Sequence, residues 1–244
     1  MQEVSILQRF RHPNVVKLFE TFESHKHILF VMEMCAGGDL LNYVWKWWKL
    51  KEPVCKKLFK QIIEAIGYVH SRQFVHWDIK LDNILLDGKG NIKIGDFGVS
   101  RILKDNETMR EQCGTPAYIA PEILLDKGYS GYKCDIWSAG VVLYSMLYGS
   151  VPFKAGTMNE LHDLILKGKY LLKDEITSDA QDLIKGMLQR NPSKRFSVEE
   201  ILKCKWFEDT DPTIEIFSLE EKQFIMREFT YNHDRHIARG EDEF

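Results

Sequence analysis

The stretch 74-FVHWDIKLDNILLDGKGNIKIGDFG-98 decides how the chain folds. It sets His76, Asp78, Lys80 and Asn83 at fixed spacing, then brings in Asp96-Phe97-Gly98 after a short turn. Ile84 to Leu86 and Ile92 to Ile94 flank Asp87-Gly88-Lys89-Gly90, a pattern that predicts a small two-stranded hairpin. A bulky Trp77 stands inside the polar cluster, beside Asp78.

Upstream, apolar Val4, Ile6, Leu7 and Phe10 recur at roughly helical spacing, so a helix is expected to end before His12-Pro13-Asn14. Strand-like runs Val15 to Phe22 and His27 to Met34 follow, joined by Glu23-Ser24-His25-Lys26 as an antiparallel pair would be. Ala36-Gly37-Gly38 reads as a hinge, and Asp39 is placed to cap a short helix through Val44. Phe59, Ile62, Ile63, Ile66 and Val69 give the segment Pro53 to Ser71 one apolar face. Most of the remaining chain reads as helix, apart from an irregular segment from Asp96 to about Glu122. After Phe207 the composition shifts to a linker, an amphipathic helix over Leu219 to Phe229, and a charged end, NHDRHIARGEDEF, of the kind that stays disordered.

The 244 residues, 44% hydrophobic, suffice for a globular core. A net charge of −3 gives nucleic acid and acidic membranes nothing to attract them. Cys35, Cys55, Cys113, Cys134 and Cys204 are odd in number and lack any C-x-x-C pair, which argues against a disulfide framework or a zinc site and for an intracellular, cytoplasmic setting. No apolar run reaches the roughly 20 residues that span a bilayer.

Several ordered motifs resemble the serine/threonine branch of the protein kinase family, and its calcium/calmodulin-dependent group in particular. His76-Trp77-Asp78-Ile79-Lys80-Leu81-Asp82-Asn83 matches that family's catalytic loop, Asp96-Phe97-Gly98 its metal-binding motif, and Ala120-Pro121-Glu122 the motif that closes its activation segment. Cys113 to Tyr118, Asp135-Ile136-Trp137 and Arg195 extend the match. The chemistry asks for the same residue types. Phosphoryl transfer is mainly positioning and charge neutralisation, with hard oxygen ligands for Mg²⁺ and a carboxylate to orient the incoming hydroxyl. The resemblance implies an α+β, kinase-like fold: residues 1–34 as the remnant of a small lobe, 35–207 as a mainly helical large lobe, and 208–244 as a tail with one helix.

It also implies roles. Asp78 orients the acceptor hydroxyl, Lys80 steadies the transferred phosphate, and Asn83 and Asp96 ligate Mg²⁺. For ATP, Met32 is the gatekeeper, Glu33 to Cys35 form the hinge, Asp39 contacts ribose, and Leu85 packs under adenine. Glu3 aligns with the glutamate that pairs with a strand lysine. Leu7, Leu18, His76 and Phe97 match a stacked regulatory column, which makes His76 structural. Asp39 and Asp82 are expected to face the substrate and favour basic sequences around the target Ser or Thr.

The chain departs from the pattern in three ways. No G-x-G-x-x-G occurs, and no lysine precedes Glu3, so roughly 60 residues of a typical domain are expected to be absent and this form incomplete or weakly active. Trp77 replaces an arginine that binds phosphate in the family, and Glu111 stands where a phosphorylated threonine is common, with Arg101 in reach. Thr108 is a candidate phosphosite whose plainer reading is an exposed loop residue. Trp45, Trp47 and Trp48 in WKWWKLK also occupy arginine-like places. Two readings of the tryptophans stay open: codon-level change from arginine, or an aromatic patch that docks a partner. A pseudokinase or scaffold is the alternative to an active enzyme.

Overall fold

The computed structural model describes residues 10–24, 27–103, 114–125 and 128–225. Except for Phe10, the helix expected at the start lies outside them.

Strands β1 (Leu18–Glu23) and β2 (Ile28–Met32) form an antiparallel ribbon. β1 starts three residues later than the alternation suggests, because Val15 and Val16 are used elsewhere. Val15 bridges Ile94, the Val16 amide donates to the Ile94 carbonyl (2.9 Å), and the Ile94 amide donates to the Asn14 carbonyl (2.9 Å). This stitches the chain ahead of the ribbon onto the strand that leads to Asp96. β2 ends at Met32, and residues 33–38 cross as extended chain and turn into helix α1 (Leu40–Trp47). Asp39 caps α1 as expected, its Oδ1 accepting from the Asn42 amide at 2.7 Å.

Helix α2 (Glu52–Ser71) carries Pro53 in its first turn, where a missing N–H costs nothing. It buries Cys55, Leu58, Phe59, Ile62, Ile63, Ile66 and Val69 along one face. β3 (Phe74–Val75) then pairs with β6 (Arg101–Ile102), and the hairpin of β4 (Ile84–Leu86) and β5 (Ile92–Ile94) has the boundaries read from the sequence. The described part of the segment from Asp96 to Glu122 is less irregular than expected. It holds β6, a 3-10 turn at Pro116–Tyr118 and the start of α3 (Pro121–Leu124).

Helix α4 (Gly131–Tyr148) is apolar on nearly every side and buried along most of its length, so the rest of the helical body packs around it. Helices α5 (Met158–Lys167), α6 (Ser178–Met187) and α7 (Val198–Leu202) follow, each started by a hydroxyl cap from Thr157, Thr177 and Ser197 respectively. Residues 219–225 are the last helix among the described residues, α8. Among the described residues no helix is long and apolar enough to cross a membrane.

One ion pair locks this body together. Arg195 is buried, and its guanidinium meets Glu122 in a fork, Nη1 to Oε1 at 2.6 Å and Nη2 to Oε2 at 2.9 Å. The remaining donors reach the Lys133 and Gln189 carbonyls, and the guanidinium lies 5.1 Å from the Trp137 ring centroid. A buried charge left without its partner is strongly destabilising. Glu122→Ala is therefore expected to lower unfolding stability by about 3–5 kcal/mol in urea titrations, and an effect below about 1 kcal/mol would show that the pair contributes no more than a surface one.

Candidate active site

The site is built on a buried carboxylate in α4. Asp135 is 1% exposed, so its lone pairs have to be met from within the protein. Oδ1 accepts from the Trp77 amide and Oδ2 from the His76 amide, each at 2.9 Å, and Oδ2 also lies 2.8 Å from His70 Nε2. These bonds hold Trp77 at φ 70°, a left-handed conformation that costs a non-glycine residue roughly 1–2 kcal/mol. The turn so imposed delivers Asp78 to the surface of the loop.

His76 is fixed in one neutral tautomer. Its Nδ1 accepts from the Asp78 amide (3.3 Å), which leaves Nε2 to donate to the Gly95 carbonyl (2.9 Å). Burial lowers its pKa despite the opposing pull of Asp135. The ring packs 4.7 Å from Phe97, Phe97 lies 5.1 Å from Phe10, and Leu18 is buried, while Leu7 lies outside the described residues. His76 thus joins the loop to the strand end before Asp96.

Asp78, Lys80, Asn83 and Thr115 form one hydrogen-bonded cluster. Asp78 Oδ2 lies 2.7 Å from Lys80 Nζ and accepts from Asn83 Nδ2 at 3.0 Å, while Oδ1 accepts from the Thr115 hydroxyl at 2.9 Å and its amide at 3.2 Å. Lys80 also donates to the Thr115 hydroxyl, at 3.0 Å. Burial alone would raise the Asp78 carboxyl, but the bonds from Lys80 and Thr115 outweigh it and hold the pKa below the ordinary value. Lys80 is partly desolvated, which lowers its pKa, yet Asp78 pulls the balance upward. Both groups are charged at neutral pH.

Asn83 donates its two amide hydrogens to the Asp78 carboxylate and carbonyl, at 3.0 and 2.9 Å. Its side-chain oxygen is left as an acceptor. The Gly95 amide donates to the Asn83 carbonyl (2.9 Å), tying this residue to the segment that carries Asp96. Asp96 is exposed, sits at φ 54°, and among the described residues accepts the Gly98 amide, at 3.3 Å, through Oδ1. A carboxylate and an amide oxygen with spare lone pairs suit a hard cation that keeps water and phosphate in its remaining positions. No cluster of three or more acidic, His or Cys side chains among the described residues offers a fuller protein cage.

The residues expected to form the hinge are distributed differently from those expected to be catalytic. Glu33 does more than lend backbone: its carboxylate pairs with Lys93 Nζ at 2.5 Å and accepts the Lys17 amide at 3.3 Å. That pair was not read from the sequence, although the strand alternation through Ile92-Lys93-Ile94 sets Lys93 opposite Leu85. Burial pushes the Cys35 thiol up to about 11, so it stays protonated. Both Asp39 oxygens are engaged by Asn42, each at 2.7 Å. Leu85 is half-buried on β4, bridged by backbone to Asp39. Met32 is 44% exposed. Glu3, Thr108, Glu111 and Cys113 lie outside the described residues.

The four tryptophans at arginine-like places separate into two kinds. Trp45, Trp47 and Trp48 are 68%, 52% and 78% exposed. Trp77 is instead buried, because the bonds to Asp135 turn its side chain inward against Tyr129, with ring centroids 6.3 Å apart. The Arg101 guanidinium stacks 5.3 Å from the Trp77 ring.

The chain is similar to known protein kinases over most of its length. Residues 1–207 match the protein kinase domain family. The chain is 39% identical over 224 residues to CBL-interacting serine/threonine-protein kinase 12 of Arabidopsis thaliana, covering 91% of this chain and 46% of that protein. It is 41% identical over 209 residues to CBL-interacting serine/threonine-protein kinase 15 of the same plant, covering 84% and 49% respectively. It is also 38% identical over 211 residues to the serine/threonine-protein kinase SIK3 homolog of Danio rerio, covering 86% of this chain and 18% of that protein. The chain thus spans about half, or less, of the length of these relatives. With the family match running over most of its length, the chain belongs to the protein kinase family.

Proposed function

We propose that the protein transfers the γ-phosphoryl group of ATP to Ser or Thr of protein substrates in the cytoplasm, favouring basic sequences. The observation that carries this reading is the Asp78 cluster: an ionised carboxylate held between Lys80 and Thr115, next to an asparagine with a spare oxygen. Asp78 accepts and orients the substrate hydroxyl, and Lys80 screens the incoming negative charge. Mg²⁺, held by Asn83 and Asp96, supplies charge neutralisation on the transferring group when bound. Thr115 sits at the cluster's edge, where it fixes the Asp78 rotamer. The backbone of residues 33–35 receives adenine, with Leu85 beneath it. Of the two acids expected to select basic substrates, Asp82 is the better placed, being exposed on the turn Leu81–Asn83, whereas Asp39 is occupied as a helix cap.

The exposed tryptophans support a second feature of the same reading, a docking surface for protein substrates. Lys46 and Lys49 beside them are paired with Glu221 and Glu175, so the patch is aromatic with little net charge and suits a protein partner better than an anionic membrane.

Phosphate transfer to a basic Ser peptide with Mg-ATP is expected from the protein, and Asp78→Asn is expected to reduce the rate by about 10²–10⁴-fold. Asp96→Ala should abolish transfer; an unchanged rate in that variant would rule the reading out. Absence of both transfer and a thermal shift with Mg-ATP would favour the pseudokinase or scaffold alternative. For the patch, Trp47→Ala with Trp48→Ala is expected to raise KM for an intact protein substrate several-fold while leaving a short peptide unaffected. Equal effects on both substrates would exclude docking there.

A further inference from the structure

Residues 208–225 lie beyond the family match, yet Ile216 and Phe217 are each only 5% exposed. Helix α8 fixes how this segment approaches the body. The Ser218 hydroxyl accepts from the Glu221 amide (3.1 Å), and the Glu221 carboxylate accepts from the Ser218 amide (2.7 Å), a reciprocal cap that sets the angle at which the chain enters the helix. The preceding residues, Ile214-Glu215-Ile216-Phe217, are thereby laid across α1, α2 and the β4–β5 turn. Lys57 Nζ donates to the Ile214 carbonyl (2.6 Å), Tyr43 Oη donates to the Ile216 carbonyl (2.7 Å), and Lys46 pairs with Glu221. Burial pushes the Tyr43 phenol up to about 12, so it remains a donor at physiological pH.

The two buried side chains meet glycines. A Cβ on Gly90, which sits at φ 79°, would lie 2.6 Å from Ile216. A Cβ on Gly37 would lie 2.7 Å from the Phe217 ring, 2.8 Å from Leu86 Cβ and 2.9 Å from the Asp87 carbonyl. Gly37 is also where the hinge is tied to β4: its amide donates to the Leu86 carbonyl (2.9 Å), and the Leu86 amide donates to the Gly38 carbonyl (2.8 Å). A glycine pair has more backbone freedom than any other dipeptide, so its conformation depends on what packs against it. Phe217 packs against it directly. Beside this contact a cavity of about 560 Å³ opens between the hinge and α8, bordered by Gly38, Asp39, Asn42 and Phe224.

We propose that residues 213–225 form a strap that sets the hinge for nucleotide, with Phe217 as the positioning residue. The effect on nucleotide rests on the reading of residues 33–39 as the ATP hinge; the effect on the hinge itself does not. Phe217 acts through Gly37, without reaching the nucleotide. Removing its ring restores conformational freedom to Gly37-Gly38, so the fraction of molecules with a competent hinge falls and apparent affinity falls with it.

The test uses the full 244-residue protein with Phe217→Ala and with the milder Tyr43→Phe, which loosens the strap by one hydrogen bond. Amide exchange over residues 36–39 and 84–87 is expected to quicken by about tenfold in Phe217→Ala and by less in Tyr43→Phe, with α4 unchanged. Calorimetry is expected to show Kd for Mg-ATP weakened by about five- to twentyfold, with KM for peptide altered by less than about twofold. Unchanged hinge exchange in both variants overturns the proposal, as does faster exchange with unaltered ATP affinity. If the unmodified protein binds no ATP, the nucleotide reading fails, and hinge exchange alone decides the strap.

Discussion

Everything at the candidate active site depends on the Asp135 carboxylate inside α4. It accepts the amides of two consecutive loop residues, His76 and Trp77, and takes up a third contact from His70. A loop of this shape has backbone donors that cannot all be met by its own carbonyls, and it holds a tryptophan at a positive φ. Without a buried acceptor it would relax. With one, Asp78 is presented in a fixed place, and the His76 ring carries the same order across to Gly95 and Phe97. Burial of Asp135 is tolerable because the two amides and His70 meet its oxygens from within the protein.

From that anchor the candidate site divides into a part that is pre-set and a part that is more loosely held. Asp78, Lys80, Asn83 and Thr115 already satisfy one another, so the acceptor side needs little rearrangement. Asp96 is exposed and lightly bonded, as suits a ligand to a cation that arrives with its substrate. Residues 33–38 lie between these cases, with Glu33 fixed by Lys93 and the glycines held by backbone bonds to Leu86 and by the packing of Phe217.

The hairpin at Ile84–Leu86 and Ile92–Ile94, the Asp39 cap and the long face of α2 were legible in the sequence because each is set by local pattern: a glycine turn, a capping side chain, a helical period. Asp78, Lys80 and Asn83 were picked out by the family resemblance of their motif, and the structure brings them within hydrogen-bond distance of one another. What stayed hidden depends on partners distant along the chain. Val15 and Val16 read as strand residues, and they leave β1 because Ile94 claims their backbone. Trp77 looks like its three exposed relatives until Asp135, 58 residues on, turns it inward. Ile216 and Phe217 sit in what composition marks as a linker, and the glycines at 37 and 90, with Tyr43, give them a place to pack. The amphipathic pattern from Leu219 was legible, whereas the Ser218–Glu221 cap that fixes how the chain enters that helix was not read.

The most direct measurement is amide exchange at His76 and Trp77 in the Asp135→Asn variant, which keeps the side chain's shape but removes its charge. A hydrogen bond to a charged group contributes about 1.5–3 kcal/mol, so exchange at both amides should quicken by roughly 10- to 100-fold while α2 and the β4–β5 hairpin stay protected. Unchanged protection at His76 and Trp77 would contradict the account, because the loop would then hold its shape without the carboxylate to which it is attributed.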